Sequence, residues 1–159
     1  MTEPDFGTYK YNGARALVIL HERYMRTCLR TWQEAKRLDI KLPVTNDGDY
    51  QSLDTLLRHV LRASRGYMTW MCEQLNLPDP EIEKTPETDR IVVEAENYLT
   101  HLLEKWRFPL AGIPEEQFHN PTYLSRWGTA YCIDAMLEHA VMHPIRHEFQ
   151  LRNLISNAT

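Results

Sequence analysis

Apolar residues recur along this chain at intervals of three and four, and the two-residue alternation of a strand is nearly absent. That is the period of one buried helix face. The first stripe, Ala14, Leu17, Val18, Tyr24, Met25, Cys28 and Trp32, predicts a helix from about Asn12 to Leu38. Pro43 and the Asn46-Asp47-Gly48 turn signal follow it. A second stripe, from Leu53 through Leu57, Val60, Ser64 and Met68 to Leu75, predicts a helix from Leu53 to Asn76. Ser52 is placed to cap it, and Asp54 suits the positive end of its dipole. The stretch LPDPEIEKTPETD, with three prolines and a run of acids, predicts a solvated loop. A third helix is expected from Asp89 to Leu110, with Ile91, Ala95, Tyr98, Leu102 and Trp106 inside and Pro109 and Gly112 at its end. A loop with Pro114, Pro121 and Gly128 leads to the last helix, from Thr129 to Ile155. The pattern predicts an all-α four-helix bundle in a single domain spanning residues 1–159, where sites form from side chains on facing helices.

Composition adds to this picture mainly by exclusion. With 159 residues and 43% hydrophobic side chains, the chain is long enough to bury a core without covalent staples. Net charge is −4. Residues 76–116 hold 10 acidic and 4 basic side chains, residues 1–75 hold 9 and 11, and no segment carries a basic stripe. That argues against a nucleic-acid partner. No apolar run is long enough to span a membrane, and the opening MTEPDFGTYKYNG has neither the basic nor the apolar region of a secretory signal. Three cysteines without CxxC spacing fit neither a disulfide framework nor a zinc ribbon. A cytoplasmic protein is expected.

Seven histidines are the unusual feature. In the last helix LEHAVMHPIRHEFQL places His139, His143 and His147 four residues apart. At about 100° per residue, His147 falls about 40° from Ile133 inside the apolar arc, His143 about 80° away on its flank, and His139 about 120° away. Residues i and i+4 lie about 6 Å apart along the axis, so neighbouring pairs can share a metal ion. Pro144 follows His143 and no glutamate takes the general-base place of a zincin, which argues against that protease type. Pro144 either kinks the helix around the core or re-aims His143 toward a site. A third ligand must come from elsewhere. His59, on the edge of the second helix's apolar face beside Ala63 and Gly66, competes with His21 in the stripe of the first. His101 and His119 are expected to be solvated.

The pieces LRHVLRAS in the second helix and EHAVMHPIRHEFQL in the last resemble the DinB/YfiT-like superfamily, across essentially the whole chain. The resemblance implies a divalent metal ion held inside the bundle by His59, His143 and His147, with zinc or nickel ahead of iron. It implies a metal-dependent hydrolase, or a transferase that uses a low-molecular-weight thiol, acting on a small-molecule substrate as a homodimer. A bundle that binds metal without turnover, in a stress response, is the alternative. HPIRHEF departs from the small, glycine-containing stretch of many relatives, which bears on the shape of the metal mouth. Asp134, Glu138, Glu148 and Gln150 are candidates to orient the imidazoles. Tyr24, Tyr67, Trp70 and Trp127 are candidate walls of the pocket. Arg62, Arg126 and Arg146 either receive an acidic substrate or thiol or serve in surface salt bridges.

Overall fold

A computed structural model describes residues 4–158 of the chain. Four long helices dominate it: α1 (Asn12–Arg37), α2 (Leu53–Gln74), α3 (Ile91–Trp106) and α5 (Ile133–Ala158). Between the last two come one turn of helix, α4 (Glu116–His119), and a two-stranded antiparallel hairpin, β1 (Tyr123–Leu124) with β2 (Ala130–Tyr131). Short 3-10 turns at Gly48–Tyr50 and Thr88–Arg90 lead into α2 and α3. The chain is therefore all-α in its main elements, as the periodicity predicts. No described helix is long and apolar enough to cross a membrane.

The helix ends follow from local chemistry. Ser52 accepts the N–H of Thr55 on its side chain, and Thr55 Oγ1 accepts the N–H of Ser52, a reciprocal cap that satisfies two donors left over at the start of α2. At the other end of α2, Asn76 turns into the left-handed region (φ 55°), and the Leu77 N–H returns to the Cys72 carbonyl at 2.9 Å. Asp39 (φ 54°) and Ile40, which donates to the Ala35 carbonyl, end α1 in the same way. α3 is shorter than its pattern predicts, because its flanks take 3-10 and turn geometry. α5 begins four residues later than Thr129, since Ala130 and Tyr131 are used in the hairpin, and it continues three residues past Ile155. It also runs through Pro144 without a break.

The core lies between α1, α2, α3 and α5, with α1 packed most extensively along α5 and α2 also resting on α5. Trp32, Trp70 and Trp106 are buried, and each indole N–H finds a carbonyl, of Leu53, Leu124 and Ser64 respectively. The Trp70 bond ties the hairpin over α2. The acidic connection before α3 is held more firmly than a solvated loop. Ile82 and Thr85 are buried, Arg58 and Arg65 donate to the Pro86 and Ile82 carbonyls, and Tyr98 donates to the Glu83 carbonyl. Its glutamates do face solvent. All three cysteines are free thiols, with Cys28 and Cys72 buried.

Replacing Ser52 with Ala removes the side-chain acceptor at the start of α2. It is expected to lower unfolding free energy by about 1 kcal/mol, measured by urea denaturation.

Candidate metal centre

α2 and α5 pack so that His59 faces His143 and His147, which sit one helical turn apart on α5. The three rings stand edge-on to one another, with centroids 4.7–5.3 Å apart. One ring nitrogen from each lies within 4.8 Å of the others. The Nε2 atoms of His59 and His143 approach to 3.0 Å. His143 and His147 are buried and His59 is half-buried.

Two of the rings are fixed by their other nitrogen. His59 Nδ1 lies 3.2 Å from Asp49 Oδ2, and His147 Nδ1 lies 3.0 Å from Gln150 Oε1. Carboxylate and amide oxygens only accept, so each ring presents Nδ1–H to its partner and leaves the Nε2 lone pair directed at the cluster. Burial holds all three imidazoles neutral. It depresses His143 to about 2, reinforced by His147 and His59 across the cluster. It depresses His147 to about 4 and lowers His59 as well, against the opposing pull of Asp49. Neutral imidazoles with outward Nδ1–H bonds and inward lone pairs are the form in which histidine binds metal. Tetrahedral bonds of about 2.1 Å set ligand atoms about 3.4 Å apart, so the widest pair of this set closes by roughly an ångström or more to share one ion. The donor set fits a divalent ion.

His21 goes elsewhere. It is fully buried, stacked on Trp106 at 3.6 Å, with Nε2 2.9 Å from Ser64 Oγ. It is a core residue, and burial depresses it to about 3. His139 extends the row on α5 but stays out of the cluster, packed among Tyr67, Trp127 and Tyr131 at 5.4–5.7 Å. His101 is half-buried and accepts the Glu83 N–H at 2.9 Å, so it anchors the acidic connection where solvation was expected. His119 is exposed, 3.5 Å from Glu115.

Of the four candidates to orient the rings, only Gln150 does so. Glu148 bonds Thr31 and Arg152, Glu138 is exposed, and Asp134 hydrogen-bonds Tyr11 while its Oδ1 is buried with no hydrogen-bond partner among the described residues. The residue that sequence reasoning missed is Asp49. It sits in the 3-10 turn just before α2, where Asp47 caps the turn by accepting the Asp49 N–H. Neighbouring Tyr50 was missed too, and its ring packs 5.5 Å from His59 and 5.7 Å from His147. The NDGDY segment reads as a turn, and no helical spacing links Asp49 to His59. Tyr67 packs 5.7 Å from His143 and Trp127 packs 6.3 Å from Tyr67, while Trp70 is buried nearby on α2. Tyr24 takes no part in these ring contacts.

No family model matches this chain, and neither a curated protein nor a solved structure matches it significantly.

Two outcomes follow from this geometry. Asp49→Asn and Gln150→Leu each free a ring to rotate or change tautomer, and each is expected to weaken zinc affinity about 10- to 100-fold in a competitive chelator titration. The acid response has a definite sign. His21, His143 and His147 all have folded-state values below the usual 6.5, so the unfolded chain binds protons first as pH falls. Metal-free protein is therefore expected to keep this stability above about pH 6.5 and to lose it progressively toward pH 4. In urea titrations across that range, His21→Phe should flatten the fall by roughly one proton.

Proposed function

We propose that the chain is a divalent-metal protein with the architecture of the DinB/YfiT-like bundles, and a metal-dependent enzyme acting on a small molecule. The observation that carries this is the convergence of three neutral imidazoles from α2 and α5, two of them locked by Asp49 and Gln150 with Nε2 turned inward. Three protein ligands leave a divalent ion with an open coordination position, the arrangement of catalytic rather than closed structural sites. In that position a bound ion supplies Lewis acidity, lowering the pKa of water or of a thiol. This supports both the hydrolase and the low-molecular-weight-thiol transferase readings. Imidazole donors suit zinc, nickel, iron and copper alike.

The chain's own groups have definite parts. Asp49 and Gln150 orient His59 and His147. Tyr50 packs against His59 and His147 and Tyr67 against His143, and burial keeps their phenols protonated, raising Tyr67 to about 12. Each can then donate a hydrogen bond to a ligand's oxygen. A bundle that binds metal without turnover is the second reading, favoured by one detail: Asp49, the carboxylate at the cluster, is already engaged with His59 and Arg62, so it is not free to act as a base.

Protein purified without nickel resin should carry about one divalent ion per chain by elemental analysis, and His143→Ala/His147→Ala should carry none. His59→Ala should also lose tight binding, whereas His21→Gln should keep the metal and lose stability. Equal metal content in wild type and the double variant would remove the ligand assignment. A metal-loaded protein that turns over neither esters, amides nor thiol–electrophile pairs would favour the second reading.

A further inference from the structure

Next to the histidine cluster, α2 and the β1–β2 hairpin enclose a cleft of about 360 Å³. Its walls include His59, Ala63, Gly66, Tyr67, Trp70 and Trp127. The volume lies in the range of small-molecule sites. The small residues at 63 and 66 keep one side low, and the ring of His59 puts the histidine cluster at its edge. A larger groove of about 520 Å³ is lined by Tyr50, leucines and neutral polar side chains such as Gln150 and Asn153, with no charged group.

The cleft differs from that groove in its charge. Arg62 reaches it from α2, one turn beyond His59, and Arg126 reaches it from the hairpin. The hairpin loop delivers Arg126 and Trp127 together. The Gly128 N–H returns to Ser125 and Gly128 adopts a φ of 89°, which leaves Arg126 and Trp127 at the tip. The Arg126 guanidinium lies over α2, 3.5 Å from where a Cβ on Gly66 would stand. Arg62 and Arg126 contact Asp49 and Glu73 at 3.5 and 3.6 Å, and both side chains are more than half exposed. Such long, solvated pairs hold a guanidinium weakly and leave it able to take a carboxylate in a two-point bond. Arg146 adds a third positive charge. It lies about 60° around α5 from His143, on the exposed side, and its charge reaches Tyr50, Tyr67, His139, His143 and His147. On a chain with a net charge of −4, these three arginines outnumber the two carboxylates beside them, Asp49 at the cleft and Glu73 on Arg126, and leave a local excess of positive charge next to the histidines.

We infer that the cleft binds a small, flat carboxylate, its body against Tyr67, Trp70 and Trp127, its carboxylate on Arg62 and Arg126, and its other groups within reach of the ion at His59. The inference rests on the metal-centre reading for what the ligand meets, and on the cleft alone for which ligand is chosen.

The full chain, once metal-free and once zinc-loaded, is titrated with benzoate and with its neutral isostere benzamide, following the emission of the cleft tryptophans. Benzoate should bind saturably, benzamide at least tenfold more weakly. Arg62→Gln/Arg126→Gln should lose at least tenfold in benzoate affinity while keeping its far-UV circular dichroism and its zinc. Arg152→Gln, a charge removed from the far end of α5, should bind benzoate as wild type does. Absent saturable binding, equal binding of the two probes, or equal losses in Arg152→Gln and the double variant would overturn the assignment. Benzoate selectivity in a chain that takes up no zinc would uphold the cleft and overturn the metal centre instead.

Discussion

Three imidazoles are brought together out of bulk water and kept neutral, and the rest of the site depends on that constraint. A charged ring at any one of His59, His143 or His147 would face its neighbours across about 5 Å in a partly dehydrated space. Burial settles the question by favouring the neutral form. Once the rings are neutral, each has one donor and one acceptor nitrogen, and the partner of the donor determines where the acceptor points. Asp49 and Gln150 each take a donor, from a loop and from α5 itself. Inward lone pairs on His59 and His147 are the consequence, with His143 Nε2 donating to His59 Nε2 at 3.0 Å until a cation takes the place of that proton.

The packing that holds the rings in place is ordinary. α2 must sit against α5 at the register that sets His59 beside His143, and α2 is held there at its start and from behind. The Ser52–Thr55 cap fixes its start a few residues after Asp49, so one local arrangement serves both the helix and the ring of His59. Behind α2, Ser64 engages His21 through its hydroxyl and Trp106 through its carbonyl. Glu22, nearly buried on α1, is paired by two bonds to Arg107 at the end of α3 and by a third to Arg26. Breaking one side of such a pair leaves a buried charge without compensation, so it keeps α1 and α3 in register.

The helices and the α5 pair were legible in the sequence because both depend on spacing within one helix. His143 and His147 share a face whatever the tertiary structure. The choice between His59 and His21 was not legible from spacing, since each lies on or beside an apolar stripe. It is decided by which neighbour each stripe meets: Trp106 stacks on His21, whereas α5 presents its histidine row to His59. Asp49 was out of reach because loop-to-helix contacts leave no period in the chain. The hairpin was missed for a different reason. Strands of two residues carry no alternation to read, and the only trace is Gly128, which permits the left-handed turn. That small element matters because it carries Arg126 and Trp127 to the cleft.

The most direct test of the central claim is a crystal structure of zinc-loaded protein with diffraction recorded on both sides of the zinc absorption edge. The account predicts one strong anomalous peak per chain, bonded to Nε2 of His59, His143 and His147, with Nδ1 of His59 still on Asp49 and Nδ1 of His147 still on Gln150. Ordered histidines with no peak between them, or a peak at other residues, would contradict it.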